Sequence, residues 1–171
     1  MTNTKIFEHM DGSSYIVPEE TCRGCWINDN PTKLPLECDP IWENKDIIVR
    51  QDPECPIPAF YIVSLRNHIS SIADIEPEIS AKLFETIAKV RYGMKEVLGI
   101  ERVHLYYEER IKNPHAHFWL LPLWPEKMEK HNIVPKIYKG NIKAYIDLFK
   151  YEETKNDMIS CNKKMKEFFN D

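Results

Sequence analysis

The chain has 171 residues, 43% of them apolar, with 27 acidic and 23 basic side chains and a formal net charge of −4. This is the size of one domain with extensions, and the apolar content is enough to bury a core, which excludes a disordered chain. The slightly acidic balance, with no block rich in Lys and Arg, argues against polymeric nucleic acid or a membrane surface as a partner.

The longest apolar runs fall far short of the roughly 20 residues of a membrane helix. The opening stretch "MTNTKIFEHMDGSSY" has no apolar signal-peptide core, so a cytoplasmic protein is expected. Five cysteines, an odd number, argue against a disulfide framework. In a reducing compartment a CxxC pair is more often a metal or redox site.

In chain order, residues 1–21 read as an irregular N-terminal extension. Residues 22–40 are rich in Pro, Asn and Asp and read as loop. "IWENKDIIVRQD" has the form of a β-hairpin, with Ile41 and Trp42 before a turn at Glu43–Asp46 and Ile47–Arg50 after it. Pro56 and Pro58 keep "CPIPAF" extended. "FYIVSL", Phe60 to Leu65, is β-branched and aromatic, as a central strand requires. The clearest helix follows Asp74. Pro77 and Glu78 sit in its first turn. Ile79, Leu83, Ile87, Val90, Met94 and Val97 form one apolar stripe, and Gly99 is a natural stop. "RVHLYYEER" and "HAHFWLL" read as strands separated by a short loop at Ile111–Pro114, with Pro122 ending the second. "IKAYIDLFKYEE" and "KKMKEFF" are amphipathic helical pieces. The pattern is α+β: an antiparallel sheet of about five strands with one long helix on a face.

Chemistry concentrates in "NPHAHFWLLP", Asn113 to Pro122. On a strand, alternate residues share a face. Ala116, Phe118 and Leu120 suit a core beneath the long helix, while His115, His117 and Trp119 face the other way. Imidazole near neutral pH serves as nucleophile, general base or metal ligand. From the pattern alone, a zinc pair and a nucleophile are equally good readings, and packed or solvated histidines are the bland alternative.

"HAHFWLLP" resembles the signature strand of the histidine triad (HIT) family, in which three histidines alternate with apolar residues. The hairpin "IWENKDIIVRQD" and the run "AFYIVSLRNHISSIADIEPE" are similar to the family's parts in order and spacing, so the resemblance covers residues 22–124, with residues 125–171 as a helical C-terminal extension that packs on or swaps to the core. "NPHAH" also looks like the Asn-Pro-His-Pro-His run of galactose-1-phosphate uridylyltransferases. The resemblance implies a homodimer and a nucleotide or nucleotide-conjugate substrate, such as a dinucleoside polyphosphate. It also implies hydrolysis or nucleotidyl transfer through a nucleotidyl-histidine formed on His117. Trp119 stands where the motif has its third histidine. An indole N–H donates one hydrogen bond but trades no proton at neutral pH, which brings in a second reading: a nucleotide-binding protein with weak or no catalysis. The family's phosphate loop is also missing. "ERIKNP" offers Arg110, Lys112 and Asn113 as substitutes, and Trp42 at the hairpin is a candidate to stack on a base.

Cys22 and Cys25 have a metal-chelate spacing. The resemblance implies that they bind a structural zinc ion together with His68 and His115. The rival set is Cys22, Cys25, Cys38 and Cys55, and the third option is no metal. A structural zinc contributes on the order of 10 kcal/mol or more to folding, which would fix a segment with little apolar pattern. A reading from a different class is a zinc-stabilised interaction domain whose C-terminal helices carry the function. His9 and His131 are expected to be solvated. His104 belongs to a strand core or edge, Trp26 and Trp124 to packing, and Cys161 is expected to be structural or free.

Overall fold

The computed structural model describes residues 3–135 and 141–170. Its centre is a five-stranded, fully antiparallel sheet in the order β3-β4-β5-β7-β6. The strands are β3 (Trp42–Glu43), β4 (Ile47–Gln51), β5 (Tyr61–Leu65), β6 (Val103–Tyr106) and β7 (His117–Pro122). This is the expected α+β, HIT-like architecture. The β3–β4 turn is held by Asn44, whose side-chain oxygen accepts from the backbone N–H of Asp46 and of Ile47 at 2.8 Å each. Pro122 ends β7 as its last paired residue, opposite Val103.

Strand alternation divides the sheet into two faces. One carries Ile47, Val49, Tyr61, Val63, Phe118 and Leu120, all buried. Against it lies α2 (Pro77–Glu96), which inserts Leu83, Ile87, Val90 and Met94. Each such side chain is worth about 1.5–3 kcal/mol on burial. The C-terminal helix α5 (Tyr151–Asn170) is one helix of 20 residues and completes this layer with Met165 and Phe169. The sequence pieces "IKAYIDLFKYEE" and "KKMKEFF" divide differently in the fold: the first is broken after α4 (Ile142–Ile146), and its end joins the second in α5.

The other face carries Ile48, Arg50, Ile62, Ser64, His117, Trp119 and Leu121, and it too is covered. At one end Tyr145 of α4 and Phe149 just beyond it pack against Trp119, Leu121 and Phe60, with Met128 of α3 (Pro125–His131) beside them. Residues of the C-terminal extension thus contribute to both apolar clusters. At the other end sits the N-terminal segment, where two expectations are corrected. Residues 1–21 are not irregular: β1 (Thr4–Glu8) and β2 (Ser14–Pro18) form an antiparallel hairpin. Nor is the stretch from 22 to 40 all loop, since α1 (Arg23–Asp29) begins directly after Cys22.

Alternation in the hairpin is too brief to stand out, and α1 has no apolar stripe, because aromatic packing holds the pair together. Trp26 of α1 lies 5.4 Å from Phe7 and 5.2 Å from Tyr15, ring centre to ring centre. His9 joins this cluster at 5.9 Å and is buried, not solvated as expected. No described helix is long and apolar enough to cross a membrane.

Tyr145 is the polar pin of the C-terminal extension. Its fully buried hydroxyl donates to the Pro122 carbonyl at 2.9 Å and accepts from the Trp124 backbone N–H at 2.8 Å. Tyr145→Phe leaves both groups without that partner and is expected to cost about 1–3 kcal/mol in denaturant unfolding. An unchanged midpoint would show that α4 is not anchored there.

Candidate functional site

Alternation on β7 sends His117 and Trp119 to the second face, as the sequence indicates, while His115 lies just before the strand. His115 is buried and its ring is clamped on two sides. Its Nε2 lies 2.8 Å from the Leu65 carbonyl, to which it donates. That fixes the proton on Nε2 and leaves the Nδ1 lone pair facing Cys22 Sγ at 3.4 Å and Cys25 Sγ at 3.6 Å. His68 Nδ1 lies 3.4 Å from Cys25 Sγ. The ligand atoms of Cys22, Cys25, His68 and His115 all lie within 4.8 Å of one another.

These distances fit a tetrahedral ion. With Zn–S near 2.3 Å and Zn–N near 2.0–2.1 Å, adjacent S and N atoms should stand about 3.5 Å apart. The Leu65 carbonyl supplies the outer contact that orients a ligating histidine. Gly24, between the two cysteines, has a structural reason: a Cβ there would stand 2.4 Å from the His115 ring. Burial raises both thiols, but in Cys22 the His115 bond and the bonds from the Cys25 backbone and thiol outweigh it and bring the group down to about 6. Cys25 moves up, by burial and by the neighbouring Cys22. Cys38 and Cys55 are not in this cluster. Cys38 is fully buried, and Cys55 packs on the second apolar cluster.

His117 stands beside Ser64 in the β5–β7 pairing. Its Nδ1 lies 2.5 Å from the His115 carbonyl. A carbonyl only accepts, so Nδ1 carries the proton and Nε2 keeps its lone pair. Burial pushes the imidazole down to about 4, with the Arg110 charge acting in the same direction, so the ring is neutral at pH 7.

His117 lines a cavity of about 80 Å³ between the sheet and α1. Arg110 and Asn113 line it too. Asn113 takes a positive φ of 50° and donates to the Glu19 carbonyl at 2.9 Å, fixing the loop ahead of His115. Lys112 lies in a neighbouring surface groove, exposed and 3.9 Å from Glu19. The structure does not bring Trp42 to this cavity. Its ring stacks on Phe169 at 5.6 Å, on the α2 side of the sheet.

Trp119 forms one wall. It is buried, its ring stacks on Tyr106 at 5.1 Å and meets the His117 ring edge-on at 3.9 Å. Its single N–H donates to Asp52 Oδ2 at 3.2 Å. The other Asp52 oxygen accepts from the backbone N–H of Glu54 and of Cys55 at 2.8 Å each. Burial, with help from the Glu54 charge, raises the Asp52 carboxyl to about 6 against the bonds it accepts.

Sequence reasoning missed Asp52, Ser64 and Arg50, all on the cavity wall. For Arg50 a signal existed: with Ile47 and Val49 facing the core, a charge at the alternate position of an apolar strand must face the other side. For Ser64 and Asp52 only partnership across the sheet reveals the role.

No family model matches the chain, and no curated protein matches it by sequence. Solved structures do match in fold. A hypothetical histidine triad nucleotide-binding protein from Sulfolobus tokodaii superposes with a TM-score of 0.60 at 16% identity, over 87% of this chain and 92% of that one. A zinc-bound histidine triad family protein from Mycobacterium smegmatis gives 0.54 at 14% identity, over 85% and 95%. A HIT family protein from Bacillus anthracis gives 0.52 at 20% identity, over 63% and 76%. The fold is therefore HIT-like.

The Trp119–Asp52 contact has an optical readout. The Asp52 carboxyl is raised above its ordinary 3.8, so the folded state holds this proton more tightly than the unfolded chain. Its contribution to stability is full below about 3.8 and lost as the pH rises through about 6. Indole emission is expected to titrate with a midpoint near 6, and Asp52→Asn should remove that transition. Persistence of the transition in the variant would assign it to another group.

Proposed function

We propose that this chain is a zinc-stabilised HIT-like protein that takes a nucleotide or nucleotide conjugate onto the second sheet face. It acts there at the α-phosphate, as hydrolase or nucleotidyl transferase. The observation that carries the reading is the state of His117, a buried neutral imidazole with its Nδ1 proton bound to a backbone carbonyl, which leaves Nε2 as an unprotonated nucleophile on a cavity wall. Of the fold neighbours, one is a nucleotide-binding protein and one is zinc-bound, which supports the same reading.

In the first step the Nε2 lone pair forms a bond to the α-phosphorus. The bond to the leaving-group oxygen breaks, and that oxygen keeps the electron pair. The adduct is a cationic phosphoryl-imidazole, itself a good leaving group for water or another acceptor oxygen. Donors for the phosphate charge are at hand in Arg110, Asn113 and the Ser64 hydroxyl on the same cavity.

Cys22, Cys25, His68 and His115 would hold zinc. With all four positions taken by protein groups, an ion held there would be structural. It would tie α1 to the two segments that flank the nucleophile. In this division of labour His115 orients and His117 reacts.

A second reading, nucleotide binding with slow or no turnover, is favoured by Trp119. Its only N–H is already donated to Asp52, so it has no proton for a leaving group. Loss of general acid help costs about 10²–10⁴-fold in rate.

Two measurements test these readings. Incubation with a dinucleoside polyphosphate, alkaline quenching and intact-mass analysis should show one added nucleoside monophosphate. His117→Ala should show none, with turnover down by about 10³-fold or more. Unmodified wild-type protein that binds nucleotide without turnover would select the binder. Separately, purified protein should contain about one zinc per chain. His68→Ala should lower that content while Cys38→Ala keeps it; the reverse pattern would select the four-cysteine set.

A further inference from the structure

Arg50 is the unexplained charge of this molecule. It lies on β4, an interior strand of the sheet, is 4% exposed, and lines the same cavity as His117. Among the described residues its Nε and Nη1 have no hydrogen-bond partner, and the guanidinium makes no ion pair. A buried cation without partners is costly and is retained where something else supplies the acceptors.

The other charges on the cavity wall are spoken for. Arg23 pairs with Glu54 at 2.7 Å and Arg110 with Glu108 at 3.1 Å. Asp52 is held by Trp119 and two backbone N–H groups. Of the three arginines on this wall, Arg50 is the one without an ion pair among the described residues.

The pairing register gives its place. Arg50 is opposite Ile62, which is opposite Trp119, while His117 lies in the next same-face row with Ser64 and Ile48. Two strand spacings across and two residues along put Arg50 and His117 about 12 Å apart at their Cα atoms. A nucleotide spans such a gap between its phosphate and the far edge of its base. The ground between them is apolar, with Ile48 and Ile62 on the sheet side and Ile27 of α1 on the other, as the flat faces of a base require.

The acceptor is better supplied by a neutral base edge than by a second anion. Asp52 and Glu54 on the same wall would repel an added negative group. A guanidinium fork matches the O6 and N7 acceptors of guanine, whereas adenine puts an amino donor in place of O6.

We propose that Arg50 reads the base edge of the bound nucleotide and selects a 6-keto purine, the guanine type, over adenine. This rests on the nucleotide reading of the His117 site and adds a base preference to it. The test is equilibrium binding of GMP, IMP and AMP to the full-length protein, wild type and Arg50→Met, with the variant's folding checked by cooperative unfolding. Wild type should bind GMP and IMP about tenfold or more tightly than AMP, and Arg50→Met should bring the ratio to within about twofold. Equal affinities in the wild type, or a preference that survives in Arg50→Met, overturn the proposal and leave the nucleotide site standing. If the variant fails to fold, the wild-type ratio of IMP to AMP still decides. No binding of any nucleotide overturns the site reading and the base preference together.

Discussion

The bond from the His115 ring to the Leu65 carbonyl is the contact on which the site depends. By placing the proton on Nε2, it turns the Nδ1 lone pair toward Cys22 and Cys25. The same residue's backbone carbonyl then accepts from His117 Nδ1, which turns the second imidazole's lone pair outward. One residue thus sets the tautomer of two rings, its own through the side chain and its neighbour's through the main chain. The proposed zinc ligand and the proposed nucleophile, two positions apart, are thus coupled by covalent geometry.

That arrangement also accounts for the N-terminal segment. Cys22 and Cys25 reach the sheet on α1, a short helix with no buried residue and no apolar stripe of its own. It is held between two weak supports: an aromatic cluster with the hairpin on one side, and the thiol–imidazole contacts on the other. Gly24 lets the helix approach until its backbone lies against the His115 ring. The roof of the cavity is therefore as stable as this junction, and a cross-linking ion at the four ligands would stabilise the cavity as well as the chain.

The parts of the molecule that sequence pattern revealed are those governed by local periodicity. The α2 stripe, the alternation of "HAHFWLL" and the β-branched run at Phe60–Leu65 each declare their faces without knowledge of a partner. The clustering of Cys22, Cys25, His68 and His115 was legible only through resemblance, since no spacing rule links Cys22 to residues more than 40 positions away. What remained hidden depends on contacts between distant segments. The hairpin at Thr4–Glu8 and Ser14–Pro18 is stabilised by Trp26, which looked like loop. His9 is buried by that same cluster. Trp42, plausible as a base-stacking residue from its place in the hairpin, is claimed by Phe169 from the far end of the chain.

Trp119 shows why a single motif position can change more than one property. A histidine there would present a ring that exchanges protons; the indole instead fills the junction between the cavity and the second apolar cluster. It packs on Tyr106, abuts His117, contacts the cluster that receives α4, and satisfies Asp52. The smaller imidazole would leave space among those groups, at a cost set by how far they can collapse. It would also leave Asp52 with a missing or altered donor. The tryptophan is thus built into the packing of the C-terminal extension. Any proton handling in this protein must come from groups already placed around the cavity. Among them, the buried Asp52 carboxyl, raised to about 6, is the one held against Trp119.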